Sequence, residues 1–165
     1  VIHQQRAHER ILFEKILSSL ENKHVPSQQL LFPQNISFSA SDFQVVKNLL
    51  PALREVGFDI DEFGKNEVIV NGIPLYLESG FLESALEQLM EDEKDHKNTG
   101  REDMNASMAA TLARVSALKT GGRLGQDEMR QLVDELFACA SPYVSLHGKP
   151  VVVNLSLEDL DKSFN

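Results

Sequence analysis

The sequence is short of cysteine, of long apolar runs and of positive charge. One cysteine, Cys139, occurs in 165 residues, which excludes an internal disulfide and favours a reducing cytosol. No run approaches the ~20 apolar residues that a membrane-spanning helix needs. No signal peptide is visible, and the chain opens at Val1-Ile2 without methionine, so we expect a piece cut from a longer protein. We expect that protein to be cytoplasmic.

The charge balance is acidic. The chain has 16 basic and 25 acidic residues, a net charge of −9, and no run of lysine or arginine. Because affinity for a phosphate backbone depends on clustered basic side chains, we expect this piece to bind DNA only weakly by itself. At 42% hydrophobic and 25% charged residues, the composition is typical of a globular domain. These properties favour a module that dimerises or binds protein partners.

Apolar residues recur at the three- and four-residue spacing of amphipathic helices in several segments. Pro51 falls inside the second of them, where we expect it to kink the helix or end its first half. A capping-box pattern at Ser156 predicts a short final helix. The longer predicted helices cover residues 5–22, 41–57, 81–94, 104–119 and 125–138.

Strand signals are fewer. Period-two alternation predicts a hairpin of strands 58–63 and 67–71, and the apolar run 150–155 is predicted to form another strand. Residues 23–40 carry two prolines and no sustained period, so we expect an extended connector there. The polar stretch 91–103 is predicted to be a mobile linker.

Helices and strands interleave along the chain, which predicts a mixed α/β (α+β) fold. The middle of the chain has enough apolar faces for a small core of its own. We therefore expect two lobes. Both chain ends, residues 1–24 and 104–165, form one lobe, and a smaller αββα-type lobe of residues 25–103 is inserted between them.

Two segments at opposite ends of the chain carry histidine and glutamate in patterned spacing. The first is HQQRAHERILFE, residues 3–14, and the second is SLHGKP, residues 145–150. They resemble the DQHAxxExxxxE and CPHGRP motifs of the C-terminal domain of the mismatch-repair protein MutL. In that family, the motifs bring His, Glu and Cys together at a latent metal-dependent endonuclease site.

The resemblance implies ligand positions that this sequence has largely lost. Gln5 stands where the family has histidine, and Arg114 and Ser145 stand where it has cysteine. Glu9 and His147 remain. Zinc takes about three protein ligands in catalytic sites and four in structural ones, so two residues do not hold it. We therefore expect no metal, no cofactor and no catalytic residue in this piece.

A substitute site is the alternative. His3 or His8 could complete a metal-binding set with Glu9 and His147, which would leave a residual metal-dependent nicking endonuclease. Against this, His8 is one residue off the ligand face of the helix, and lone histidines are more often exposed or structural.

The segment Gln28-Gln29-Leu30-Leu31-Phe32-Pro33 resembles the short peptides by which replication proteins dock on the bacterial sliding clamp. In such peptides an amide makes directional hydrogen bonds, and Leu and Phe fill an apolar pocket. The clamp-binding candidates are Gln28, Leu31, Phe32 and Pro33. The alternative is an edge strand that covers the core with its apolar side chains.

Helix 104–118 and strand 150–155 correspond to elements that build the homodimer interface in MutL. Small and apolar residues on several sides of the helix suit close packing, although an ordinary core would have the same composition. The interface candidates are Met108, Leu112, Val115, Val151 and Val153.

The resemblance covers most of the chain and implies the C-terminal dimerisation domain of a bacterial DNA mismatch-repair protein. It further implies docking to the sliding clamp and to the mismatch-recognition protein MutS. An ATPase domain using ATP and magnesium would lie upstream, outside this piece. An unrelated α/β partner-binding domain is the remaining alternative.

Overall fold

The structure, a computed structural model, describes residues 1–22, 25–95, 101–117, 122–156 and 162. These residues form five helices and a three-stranded antiparallel sheet, which confirms the predicted mixed α/β class. Within them, no helix has the length and apolar character needed to cross a membrane. The elements are α1 Gln4–Glu21, β1 Ser27–Ser37, α2 Ala40–Glu55, β2 Asp59–Phe63, β3 Glu67–Pro74, a 3-10 turn Ser79–Phe81, α3 Leu82–Asp95, α4 Arg101–Ser116 and α5 Gln126–Ala138.

The chain divides into two compact units. The end unit comprises Val1–Ile11 and Ala117–Asn165, and the inner unit comprises Leu12–Ser116. These bounds differ from the expected 1–24 with 104–165 and 25–103, because α4 and the part of α1 from Leu12 onward belong to the inner unit. Met108 and Leu112 of α4 belong to the same apolar cluster as the buried residues of α3.

The inner unit is built on a three-stranded antiparallel sheet in the order β1-β3-β2. The central strand β3 buries Val68 and Val70 at alternate positions, as a strand with one packed face does. α2 covers this core with its own apolar stripe. The buried residues of α2 are Phe43, Val46, Leu49, Leu50, Ala52 and Leu53.

Helix α2 departs from the prediction at both of its markers. It is capped by Ser39, whose hydroxyl accepts a hydrogen bond from the Asp42 amide at 3.1 Å, rather than opening at Ser41. It also continues through Pro51 to Glu55. Buried residues on both sides of Pro51 hold the helix in place, so the missing backbone donor does not end it.

Three other predicted segments differ. Residues 23–40 contain β1 rather than a connector; most of its side chains are exposed, so no period-two pattern marks it. Residues 150–155 form only isolated bridges, Ile2 with Val152 and Val144 with Pro150. α3 and α4 occupy most of the predicted linker 91–103. The final helix predicted after Ser156 lies outside the described residues.

The end unit is tied together by its two chain segments. Val1 and Val153 exchange backbone hydrogen bonds of 2.7 and 2.9 Å, and the His3 amide donates to the Val151 carbonyl at 2.9 Å. A small core forms where the first turns of α1 meet α5. Its buried members are Ala7, Ile11, Leu136 and Val151.

Candidate functional site

The two motif segments of the end unit meet in the structure. Arg6 of α1 donates from Nη1 to the Pro150 carbonyl at 2.9 Å. Arg10, one turn later, donates from Nε and Nη2 to the Val144 carbonyl at 3.0 and 2.8 Å. Since a guanidinium offers several donors in a fixed plane, these two arginines fasten the loop before Val151 to the helix.

Glu9 and His147 come together in this cluster. The His147 Nε2 lies 3.7 Å from Oε1 of Glu9. Glu9 is only 7% exposed, and its Oε1 has no hydrogen-bond partner among the described residues. An unsatisfied buried carboxylate oxygen is costly, so this atom is the most unusual polar group of the cluster.

Ser145 makes hydrogen bonds within the loop that precedes Val151. Its hydroxyl accepts a hydrogen bond from the Lys149 amide at 3.1 Å, and its own amide donates to the Lys149 carbonyl at 2.8 Å. Gly148, with φ +72°, adopts the left-handed conformation that this tight loop requires. Ser145 is buried and therefore stabilises the loop.

The other metal-ligand candidates predicted from the sequence do not add a third ligand to Glu9 and His147 among the described residues. His3 accepts a hydrogen bond at Nδ1 from the Arg6 amide at 3.4 Å, at the start of α1. Gln5 and His8 are half-buried on α1. Arg114 belongs to the inner unit, where it donates to Gln88 Oε1 at 3.1 Å.

The family resemblance implies a metal here, and the residues do not fit one. Nowhere in the described part of the chain do three or more His, Cys, Asp or Glu side chains group so that they could hold an ion. Glu9 and His147 supply one carboxylate and one imidazole, fewer than zinc requires.

A second feature lies on the edge strand of the inner unit. β1 pairs with β3 through Gln29↔Gly72 and again from Gln34↔Val70, so residues 30–33 stand opposite Asn71 alone. We call residues 30–33 the β1 bulge. Leu31 is 94% and Phe32 82% exposed at its tip, whereas Leu30 packs on the core.

The β1 bulge is held on both flanks by the sheet. Gln28 donates from Nε2 to the Leu77 carbonyl at 3.3 Å, and Gln29 donates to Asp59 Oδ2 at 3.1 Å. Gly72 allows this close approach, because a Cβ there would lie 3.0 Å from the Gln28 carbonyl oxygen. β1 is therefore an edge strand of the sheet, and its tip also presents the exposed apolar side chains of Leu31 and Phe32.

A third feature, an exposed apolar stripe on α5, was not predicted from the sequence. α5 turns Leu136 into the core, while Met129, Val133 and Phe137 remain 47%, 36% and 48% exposed at four-residue spacing. Its apolar positions thus cover two adjacent faces, which is wider than one small core needs. That width, visible in the sequence, is the signal that could have revealed the exposed stripe.

The predicted interface residues have a different placement. Met108 and Leu112 of α4, and Val151 of the end unit, are buried inside this same chain. They have no surface to offer another molecule, so α4 is core at these positions. Val115 is half-buried and Val153 is exposed.

Exposed apolar side chains on a mixed α/β fold are typical of a domain that binds other proteins. The family model described as "MutL C terminal dimerisation domain" matches residues 1–124. DNA mismatch repair protein MutL from Chloroherpeton thalassium is 37% identical over 164 residues, and that from Flavobacterium johnsoniae is 35% identical. Each alignment covers 99% of this chain but 26% of the relative, so the chain spans about a quarter of those proteins.

The chain therefore belongs to the MutL family of DNA mismatch-repair proteins and corresponds to its C-terminal dimerisation domain. This membership excludes the alternative of an unrelated α/β domain.

Proposed function

We propose that this chain is the homodimerisation and partner-docking module of a bacterial MutL protein in the cytoplasm. Homodimerisation is supported by the family description. Partner docking is carried by one observation, the exposure of Leu31 and Phe32 at the tip of the β1 bulge. Large apolar side chains held away from the core are typical anchors for a pocket on another protein.

The bacterial sliding clamp is the partner that fits the β1 bulge best. Gln28, Leu31 and Phe32 follow the spacing of a clamp-binding peptide, with an amide followed by two apolar anchors. The flanking strand pairs already order the peptide, which reduces the entropy lost on binding. Pro33 has no backbone donor, so it also disfavours pairing of this edge with a further strand.

Titration of the chain against a purified bacterial clamp tests this proposal. Leu31→Ala and Phe32→Ala should each weaken binding about tenfold or more, as expected for anchors that fill a pocket. Leu75→Ala is the matched control, because Leu75 is also exposed on the inner unit but lies outside the β1 bulge. Equal affinity of all three variants and the unchanged chain would reject clamp docking through this segment.

We also propose that the chain does not cut DNA. The support is that Glu9 and His147 lie together but have no third metal ligand near them among the described residues. The alternative, a residual nicking endonuclease, is favoured only by the orphaned Glu9 oxygen. Supercoiled plasmid should stay intact with the chain, clamp, Mn²⁺ and Zn²⁺. Nicking that disappears in Glu9→Gln would establish the nuclease instead.

In the longer protein, we propose that this module holds two copies together so that their other domains act at high effective concentration. ATP and magnesium would be used by an ATPase domain outside this chain, and MutS would be a further partner. Contact with DNA would be made mainly by other domains, because this chain carries a net charge of −9.

A further inference from the structure

A groove of the inner unit lies between the end of β1 and α3. Its volume is about 360 Å³, which is enough for a long side chain of another molecule. Residues 35–39 line one side of it, and residues of α3 line the other. We call this space the β1–α3 groove. Its lining is partly apolar, because Leu86 and Met90 of α3 are buried there and Ile36 of β1 is half-buried.

The α3 side of the groove carries two carboxylates with no matching cation. Glu83 and Glu87 are both exposed and lie one turn apart on α3, so their charges repel each other. Neither forms an ion pair with any other residue that the structure describes. Asp42, a third carboxylate of the groove, is already paired with Lys94 at 2.7 Å. A cation placed between Glu83 and Glu87 would therefore replace a repulsion by two attractions.

The charge of the whole inner unit favours the same kind of partner. Leu12–Ser116 contains nine basic and seventeen acidic residues, a net charge of −8, whereas the end unit contains seven basic and eight acidic residues. Charge of one sign concentrated on one unit attracts oppositely charged partners to it. Because the groove is also partly apolar, it suits the long aliphatic stem of a lysine or arginine better than a hydrated ion.

The β1 side of the groove is an open edge of the sheet. β1 pairs with β3 alone, in the order β1-β3-β2. The Phe38 amide donates to the Asn66 carbonyl at 2.9 Å, and Ile36, two residues earlier, therefore also directs its backbone groups toward β3. The alternate residues Asn35 and Ser37 direct theirs away from the sheet. Backbone groups at such an edge can pair with an additional strand.

We propose that the β1–α3 groove binds an extended basic segment of another protein, which pairs with β1 as a short additional strand. Backbone hydrogen bonds to Asn35 and Ser37 hold the segment. A lysine or arginine side chain that faces α3 reaches Glu83 and Glu87, and an apolar residue two positions along faces the same side and covers the apolar lining. Pro33 has no backbone donor, so the pairing is limited to the residues after it. The groove contains no residue of the β1 bulge, so this proposal goes beyond clamp docking and does not depend on it.

NMR titration of the chain with a basic pentapeptide tests the proposal. The probe is Thr-Lys-Thr-Val-Thr with both ends blocked, in which Lys and Val face the same side of a strand. The amide resonances of residues 35–37 and 83–87 should shift and saturate. Glu83→Gln and Glu87→Gln should each weaken binding about threefold, as expected for exposed ion pairs. Glu78→Gln is the matched control, because it removes an exposed carboxylate of the inner unit outside the groove and should leave the affinity unchanged.

Three further probes separate the possible occupants. A pentapeptide with Glu in place of Lys, and a fully N-methylated pentapeptide that lacks backbone donors, should not bind. Binding of the N-methylated peptide with unchanged affinity would overturn the strand pairing. Blocked lysine alone, if it bound as tightly as the pentapeptide, would show that the groove accepts only a cation. Equal weakening in Glu78→Gln, or no shift of these resonances up to ~5 mM peptide, would also overturn the proposal.

Discussion

The α5 outer face and the β1 bulge are both apolar and exposed, but they are presented differently. The α5 outer face consists of Met129, Val133, Phe137, Tyr143 and Val144, and it is broad because the helical stripe continues into the last two residues. The β1 bulge is narrow, with Leu31 and Phe32 at the tip of an edge strand. A broad patch suits a partner with an equally broad face, whereas a narrow tip suits a partner with a pocket.

The difference teaches what each surface can recognise. Self-association requires an extended patch that complements its own copy, which a two-residue tip does not provide. Recognition by a pocket requires anchors that protrude and are already ordered, which a flat helix face does not provide. The described residues therefore present two apolar surfaces of different shape.

The largest expected effect is on the free energy of unfolding, which should differ between substitutions on the inner and the outer face of α5. Leu136→Ala should lower the free energy of unfolding by about 2–5 kcal/mol, because it opens a cavity among fully buried side chains. Phe137→Ala should lower it by less than about 1 kcal/mol, since Phe137 is half exposed. Urea denaturation measures both. Equal losses would show that the two faces are not distinguished as described.

A smaller loss of stability should follow from a substitution that disturbs the strand pairs flanking the β1 bulge. Gly72→Val should cost about 1–3 kcal/mol of stability, because its Cβ would meet the Gln28 carbonyl oxygen at 3.0 Å and Asp59 Cβ at 3.2 Å. It should also weaken clamp binding, while dimerisation is unchanged. Thermal unfolding and clamp titration measure the two effects. Full clamp affinity in a destabilised Gly72→Val would show that the flanking pairs do not order the tip.

The smallest expected effect concerns an ion pair that belongs to neither surface. The hydrogen bond from Lys94, at 2.7 Å, and then that from Ser39 lower the pKa of Asp42 below 3.8. A lowered folded-state pKa contributes stability above pH 3.8 that is lost as the pH falls through the folded value. Asp42→Asn should therefore lower the melting temperature slightly at pH 7, and by less as the pH falls through the folded pKa of Asp42. Lys94→Met should show the same trend, and a difference that does not shrink with falling pH would contradict it.

The sequence predicts most of the helices because their periodicity is local. α1, α3 and α5 begin and end within about one residue of their predicted bounds. β1 escapes prediction because an edge strand with exposed side chains leaves no alternating pattern. Residues 150–155 have the composition of a strand, but only isolated bridges form there.

The sites were predictable to different degrees. The meeting of Glu9 and His147 follows from family spacing, and the tip residues Leu31 and Phe32 follow from a short motif. To predict the α5 outer face, one must know which of the two adjacent apolar stripes of α5 is buried. That choice is made by Ala7, Ile11 and Val151, whose proximity to α5 in space cannot be deduced from helical periodicity.

The central claim is that the two apolar surfaces act independently, and one measurement tests it directly. Fluorescence-detected sedimentation velocity of labelled clamp with the chain reports dimerisation and docking together. The account predicts that Phe137→Lys still binds the clamp, and that Phe32→Ala gives a dimer that does not. Loss of clamp binding in both folded variants, or in neither, would contradict it.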